Sequence, residues 1–346
     1  MTARTRYFVV SSLLVLFVGL GSGLVAYYMG FPAGAFGSSG GPDELRYIPR
    51  DVAVVAYADV REVMASAFRQ RLLQVAPGQE TGRQQLEQQT GINIETDIEH
   101  IVASLEAGAS GGTMPSAGIV LARGTFNEVK IEALMREHGA QVLSYKDKRI
   151  IVAPTPTPPL ADPTAPNASN VQTLSKPPEF ALSFLKPGLV ALGTSDLIRH
   201  AIDLENGGDN VTTNEEVMNL IKSLDSGNAW AVGRFDALRT TGRLPDAVNQ
   251  LPPISWFSVT GQVNDGINGV VRAETTSDEA AKNLRDVVQG FIALGRLQAG
   301  SKPDMQTFMQ SLQISGTGKT VALSFSVPGT VLDLIRPAEN QPRQAH

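Results

Sequence analysis

The chain has 346 residues, of which 42% are hydrophobic and 18% charged; this composition excludes both a disordered protein and a polytopic membrane protein and allows about two domains. It contains no cysteine, which excludes disulfides, cysteine-ligated zinc, iron–sulfur clusters and thiol nucleophiles. The formal net charge is -5 and there is no block of Lys and Arg, so the basic surface that nucleic-acid binding requires is missing and we expect no nucleic-acid partner.

The first apolar segment predicts a membrane anchor. Residues 8–29 are 22 apolar or small residues, and a helix of that length, at about 1.5 Å per residue, crosses a hydrocarbon layer of about 30 Å. Arg4 and Arg6 precede the segment and no charge follows it until Asp43, so the positive-inside rule places residues 1–7 in the cytoplasm. The expected location is therefore the cytoplasmic (inner) membrane, crossed once, with the C-terminal part in the periplasm.

Two features of this segment leave alternatives open. The small residues at 33–35 resemble a processing site, so a cleaved signal peptide competes with a retained anchor, although the apolar run is longer than a usual signal sequence. Gly19 and Gly23 form a GxxxG motif through which two anchors could contact each other as a homodimer. Small residues at this spacing are also common in membrane spans without any such role.

Three stretches of low complexity lie outside the predicted folded parts. Residues 30–44 are rich in Gly, Ser, Ala and Pro, which predicts a flexible tether. Residues 154–178 contain 8 of the 21 prolines and few large apolar residues, which predicts an extended, disordered loop. We also expect a disordered tail at residues 337–346.

The rest of the chain alternates between strand-like and helix-like segments. Residues 52–58 form a continuous apolar run, which is typical of a strand covered on both faces. We expect a first α+β half at 45–153, a connecting hairpin and helices at 179–228, and a second α+β half at 229–336. The expected helix N-caps and starts are Asp59, Asn127, Ser195 and Asn214, and the later helices are expected at 280–297, 305–312 and 331–335.

A weak internal similarity relates the two halves. Residues 57–59 align with 234–236, and a later alignment places Asn127 over Ser277. In both pairs a strand precedes a helix, as repeated units would require. The sequence therefore predicts an α+β fold with mostly antiparallel sheets, packed helices and an internal duplication, although hydrophobic periodicity alone also produces such matches.

Three short motifs resemble functional signatures, but their contexts do not fit. Residues 316–320 resemble the end of a P-loop, yet Gln313 occupies the position of a required glycine and a strand follows, so we expect a hairpin turn. Ser110 lies in a G-x-S-x-G string, but between two strands and not on a strand-turn-helix elbow. Ser183 and Lys186 satisfy S-x-x-K, but they lie in a strand.

The titratable residues give no signature of catalysis or metal binding. The histidines do not have the spacing of metal ligands on one element, so we expect no metal or cofactor; they are His100, His138, His200 and His346. Acidic residues at helix starts are expected to bind free backbone amides; they are Asp59, Asp196, Asp236 and Asp278. Two carboxylates distant in sequence that meet in space remain the alternative.

The chain resembles a loosely defined group of bacterial envelope proteins. They have one N-terminal span, a Gly/Ser tether and an ectodomain that opens with Y-I-P-x-D-x-x-x-x-A-Y-x-D, which is residues 47–59 here. The resemblance extends over about the folded part of the chain, and only this opening string is distinctive. It implies an envelope location and brings no functional residues with it.

These observations favour a non-enzymatic binding or scaffold module of the cell envelope. It would be held in the cytoplasmic membrane by residues 8–29 and would bind an envelope protein, a peptide or a lipid. The alternative is a metal-independent envelope hydrolase that uses carboxylates or Ser, which a buried, mutually close acid pair in a cleft would favour. A third interpretation is a structural part of a larger assembly, with residues 154–178 as a contact.

Overall fold

The computed structural model describes residues 41–75, 87–88, 91–106, 118–153, 180–240, 251–300 and 303–330. The predicted anchor at 8–29 with Gly19 and Gly23, the Pro-rich segment at 154–178, and residues 331–346 lie outside these ranges. Among the helices of the described residues, none combines the length and the apolar character needed to cross a bilayer.

The described chain forms an α+β fold built on a single twelve-stranded sheet, in which every strand pair is antiparallel. The strand order is β11-β12-β10-β9-β8-β1-β2-β3-β7-β6-β5-β4. The strands are β1 Val52–Ala58, β2 Ile98–Glu106, β3 Gly118–Gly124, β4 Gln141–Tyr145, β5 Lys148–Val152, β6 Phe180–Lys186, β7 Leu189–Thr194, β8 Ala229–Arg234, β9 Ile254–Val263, β10 Gly266–Thr275, β11 Gln313–Ser315 and β12 Thr320–Pro328.

The helices connect the strands and cover both faces of the sheet. Two short 3-10 helices, Asp43–Tyr47 and Val211–Thr213, accompany them. The α-helices are α1 Val60–Ala65, α2 Ala67–Val75, α3 Ile94–Asp97, α4 Glu128–Glu137, α5 Ser195–Leu204, α6 Glu215–Lys222, α7 Phe235–Thr240, α8 Asp278–Ala299 and α9 Pro303–Ser311.

Alternation along the strands divides the core between two faces. On one face, here called the α5 face, side chains such as Val55 and Trp230 pack with α5, α6 and the 3-10 helix Asp43–Tyr47. On the opposite face, here called the α8 face, Ile101 packs near α4 while Val54 and Ala231 pack near α7 and α8. β1 is therefore covered on both sides, as its continuous apolar sequence predicts.

The two ends of the sheet are named here after the last and first residues of β1. At the end where β1 finishes, Ala58 pairs with Ile101 of β2; this is called the Ala58 end. β9 also finishes there, because β8 runs antiparallel to both β1 and β9. At the opposite end, called the Val52 end, β1 begins and β8 finishes.

Local sequence signals determine most of the helix starts. Asp59 caps α1 by accepting from the Glu62 amide, and Asn127 caps α4 by accepting from the Lys130 amide. Asn214 caps α6 in the same way, so these three predictions are confirmed. The predicted cap of α5 is wrong by one residue: Thr194 accepts from the Leu197 amide, and Ser195 is the first helical residue.

Two segments differ from the predicted division of the chain. Residues 43 and 44, expected to belong to the tether, lie in a 3-10 helix, and Glu44 is buried. The hairpin of β6 and β7, expected as a connection, lies within the sheet, because β6 pairs with β5 and β7 pairs with β3. The pairing of β7 with β3 explains the position of the hairpin, since without β7 the strand β3 would be an edge strand with unpaired backbone groups.

The strand order has a symmetry around the central pair β1 and β8. β1, β2 and β3 lie in sequence on one side of this pair, and β8, β9 and β10 lie in sequence on the other. β3 leads into α4 through the cap Asn127, and β10 leads into α8 through the cap Ser277. Both sides belong to the same sheet, so the described residues do not divide into two separate sheets.

Candidate functional site

A polar pocket of about 390 Å³ opens at the Val52 end of the sheet. It lies where the starts of β1 and β9, the end of β8 and the N-terminus of α6 meet. Its lining residues are Arg50, Asp51, Val52, Thr213, Asn214, Glu215, Glu216, Arg234 and Trp256.

Backbone contacts hold the walls of this pocket together. The Arg50 amide donates to the Asp209 carbonyl at 3.2 Å, and Pro49 forms a β-bridge with Asn210. Asn214 has two roles: its side-chain oxygen accepts from the Val217 amide, and its side-chain amide donates to the Arg50 carbonyl at 3.2 Å. The start of α6 is therefore fixed to the segment that leads into β1.

The charges of the pocket are of both signs, with acidic groups in excess. Arg234 lies on β8 and donates to Asp236, with a Nη2 to Oδ2 distance of 2.8 Å. This hydrogen bond raises the pKa of Arg234, and the charges of Glu216 and Asp51 act in the same direction. It also lowers the pKa of Asp236. Both groups therefore remain charged at neutral pH, and the pocket offers charged and hydrogen-bonding groups beside the Trp256 indole ring.

A second polar cluster is buried on the α5 face, towards the Ala58 end. Its centre is Glu44, whose side chain is only 4% exposed. Arg123 binds one carboxylate oxygen, with Nε at 2.8 Å and Nη2 at 2.6 Å, and His100 Nε2 lies 3.2 Å from the other. Three distant parts of the sequence thus meet at one carboxylate.

The environment of Glu44 keeps it ionised. Burial by itself would raise the pKa of this carboxyl, but the interactions with His100 and Arg123 prevail and the pKa is lowered to about 2. A group with this pKa does not donate a proton near neutral pH, so Glu44 is unsuited to general acid catalysis. The arrangement instead fastens the 3-10 helix Asp43–Tyr47 to β2 and β3.

Aromatic rings extend this cluster along the sheet. The Tyr57 ring lies 5.4 Å from the His100 ring and stacks on Trp230 with centroids 5.9 Å apart. Burial raises the pKa of Tyr57, and the carboxylates of Asp59, Glu44 and Glu62 add to the effect. Tyr57 therefore stays protonated at physiological pH and is not a phenolate nucleophile.

Two of the three short motifs have structural roles: the P-loop-like motif and the S-x-x-K motif. Residues 316–319 form the expected turn between β11 and β12, and Thr320 begins β12. The Arg285 guanidinium donates to the backbone carbonyls of Gly318 and Thr320. Ser183 is buried in β6, and its hydroxyl donates to the Arg149 carbonyl at 2.8 Å. Ser110 lies outside the described residues.

The histidines and helix-start acids lie on several different elements of the fold. His200 is exposed on α5, His138 is the exposed C-cap of α4, and His346 is outside the described residues. Asp196 pairs with Arg199 at 2.9 Å, and Asp278 begins α8 after the cap Ser277. Within the described ranges, no three His, Asp or Glu side chains are grouped so that they could hold a metal ion.

Sequence reasoning missed both polar clusters. The sequence predicts that Glu44 belongs to the tether, because its neighbours on the N-terminal side are Gly, Ser and Pro. No sequence pattern links Arg50 and Trp256, because they are 206 positions apart and only strand pairing brings them to one pocket. The local signal for the burial of Glu44 is that the large apolar residue Leu45 directly follows it.

Comparisons with known proteins add little to this description. No protein-family model matches the chain, and no curated protein matches it. Among solved structures, crystal form I of TP0453 has a TM-score of 0.44 and 8% sequence identity, over 85% of this chain and 97% of that chain. A similarity at this level assigns neither a family nor a function.

Proposed function

We propose that this protein is a non-enzymatic binding module of the bacterial cell envelope, held at the cytoplasmic membrane by residues 8–29 with its folded part outside the cytoplasm. The observation that carries the proposal is the position of the predicted span. Only 13 residues, 30–42, separate Met29 from Asp43, next to which the buried Glu44 fixes the chain to the sheet. The folded part is therefore close to any membrane that residues 8–29 cross.

The polar pocket supports binding of a protein or peptide segment over binding of an apolar ligand. Its walls carry three carboxylates, Asp51, Glu215 and Glu216, and the side chains of Arg50 and Arg234. Such groups bind polar or charged partners, because an apolar ligand would desolvate them without compensation. We propose that a polar segment of an envelope protein occupies this pocket.

The hydrolase alternative is less well supported. It requires a buried pair of acidic groups close together in a cleft. The pocket carboxylates Asp51, Glu215 and Glu216 are exposed. Among the described residues the two buried carboxylates, Glu44 and Glu132, lie on opposite faces of the sheet. Each of them accepts from arginine side chains. We infer no catalytic pair from them.

The symmetry of the strand order supports the proposal that the chain arose by duplication. The alignment of residues 57–59 with 234–236 has an offset of 177, which places Val55 over Val232. These two residues are direct partners in the β1–β8 pair. A two-fold axis between adjacent antiparallel strands passes through such a pair of equivalent residues.

The location is tested by protease treatment of intact spheroplasts that carry the full-length protein. We expect cleavage of the part that follows residue 42, while a cytoplasmic protein stays intact. Protection of the C-terminal part from protease would overturn the proposed location.

The binding role is tested with a photocrosslinking amino acid at Glu215, which is exposed at the rim of the pocket. We expect a discrete crosslinked species in cells, and we expect the Trp256→Ala substitution to reduce its amount. The control carries the photocrosslinking amino acid at Thr317, which is exposed in the β11–β12 turn, and should not form this species. Identical crosslinks from both positions, or unchanged crosslinks in the Trp256→Ala variant, would contradict binding at the pocket.

A further inference from the structure

Helix α8 exposes a continuous apolar stripe in its C-terminal half. The side chains are Val287, Phe291, Leu294 and Leu297, with exposures of 36%, 54%, 51% and 81%. They are spaced four, three and three residues apart, so they lie along one side of the helix. Large apolar side chains grouped in this way on a protein surface mark an interaction site more often than scattered ones do.

The stripe is separate from the face through which α8 packs on the protein. Ala281 and Leu284 are buried in the core of the α8 face, and Val288 and Ile292 pack against buried clusters. These residues already provide the helix with an apolar packing face. The stripe is an additional apolar surface, and the core does not use it.

The stripe lies at the Ala58 end of the sheet. α8 leaves β10 at the Val52 end, since Thr275 pairs with Ile254 at the start of β9. Its last residue, Ala299, belongs to the buried cluster against which Ile267 and Val327 pack at the other end. Because β9 and β1 finish together, the C-terminal half of α8 is near the Ala58 end.

The N-terminal segment leaves the folded part at the same end. Glu44 contacts His100 and Arg123, which are partners in the β2–β3 pair beside Ile101 and Ala58. The described chain therefore begins, at residues 41 and 42, near this end of the sheet and on the opposite face from α8. The composition of residues 30–42 predicts a flexible tether, and a flexible chain of 13 residues has a root-mean-square length of about 20 Å.

We propose that the C-terminal half of α8 rests on the lipid surface of the membrane in which residues 8–29 are inserted. This proposal rests on the proposed function, because it requires the anchor. The short tether holds the Ala58 end close to the bilayer, so the stripe meets lipid at a high effective concentration. Apolar side chains on one side of a helix bury themselves at the boundary between headgroups and acyl chains.

We infer that the lipids in contact with the stripe carry no net charge. The positions that form the stripe, together with Gly290 and Gln298 beside them, carry no charge. Contact with anionic headgroups would require Lys or Arg around the stripe. The docking is therefore expected in phosphatidylcholine membranes and is expected to be insensitive to salt.

The absence of cysteine from the chain allows a site-specific test. The full-length variant Leu297→Cys, labelled with an environment-sensitive fluorophore, is reconstituted into phosphatidylcholine liposomes that contain a spin-labelled quencher lipid. The control is Thr317→Cys, which is exposed in the β11–β12 turn at the Val52 end. Both positions are exposed, so neither label is expected to disturb folding.

We expect a blue-shifted emission at position 297 and quenching at least about twofold stronger than at position 317, unchanged by salt. Adding Phe291→Ser and Leu294→Ser to the Leu297→Cys variant is expected to reduce the quenching. Equal quenching at the two positions, or shielding of position 297 only in native membranes and not in pure lipid, would overturn the proposal. Flotation of the protein with the liposomes is measured first, so a failure of the anchor is distinguished from a failure of docking.

Discussion

Replacing Glu44 by glutamine removes the one negative charge that Arg123 and His100 share, while the shape of the side chain is kept. The pKa of Glu44 is lowered from 4.5 to about 2. At about 1.4 kcal/mol per pH unit, this difference corresponds to about 3 kcal/mol of folding stability at neutral pH. The side chain is almost fully buried, so solvent screening reduces this value little.

The stabilisation by Glu44 depends on pH with a defined sign. The folded-state pKa is depressed, so the contribution is fully present above the unfolded-state value of about 4.5 and is lost as pH falls through about 2. Between pH 7 and pH 3 the wild-type protein loses about 2 kcal/mol through this group. The Glu44→Gln variant lacks this component, so the difference between the two proteins narrows to about 1 kcal/mol at pH 3.

Urea unfolding at pH 7 and at pH 3, followed by circular dichroism, measures both quantities. The matched control is Glu99→Gln, since Glu99 also pairs with an arginine, Arg61 at 3.0 Å, but on the surface. We expect the control to change the free energy of unfolding by less than about 1 kcal/mol. A loss below about 1 kcal/mol for Glu44→Gln at pH 7, or an equal loss at both pH values, would refute the role of Glu44.

Three further changes test the packing and the helix caps, each by urea unfolding at pH 7. The Tyr47 hydroxyl is buried and has no hydrogen-bond partner among the described residues, so Tyr47→Phe should leave the stability unchanged or raise it by up to about 2 kcal/mol; a clear loss would reveal a partner. Thr194→Ala should cost about 1 kcal/mol by removing the cap of α5, while Thr194→Ser should cost much less, and equal costs would contradict the capping role. Gly124→Ala should cost more than about 2 kcal/mol, because the added methyl group would overlap the Asp97 carbonyl; a neutral result would mean that β2 and β3 can separate there.

Local features of the sequence predict several of the strands and helices correctly. The apolar run of residues 52–58 predicts β1 with its exact bounds, because a strand covered on both faces needs apolar side chains at every position. Asp59, Asn127 and Asn214 start helices where predicted, since their side chains satisfy amides within the next three residues. The turn at 316–320 was predicted because a strand followed it. All of these signals act over a few residues.

The candidate site could not be predicted in the same way. Glu44 is surrounded in sequence by tether-like residues, and only the fold brings it to Arg123, which is 79 positions away. The burial of Glu44 comes from the packing of the 3-10 helix Asp43–Tyr47 on the sheet, and no pattern of adjacent residues predicts that packing. The same holds for Trp256 and Arg50, which become neighbours only through the pairing of β1, β8 and β9.

The sequence by itself determined the antiparallel α+β character, the main helix and strand positions, and the expectation of an anchor, because apolar periodicity, caps and turns are properties of adjacent residues. The tertiary structure decided that both halves share one twelve-stranded sheet and that β6 and β7 lie inside it. It also decided which charges are buried together and which apolar stripe stays exposed. These properties depend on contacts between residues far apart in the chain, and such contacts form only when the chain as a whole buries its core.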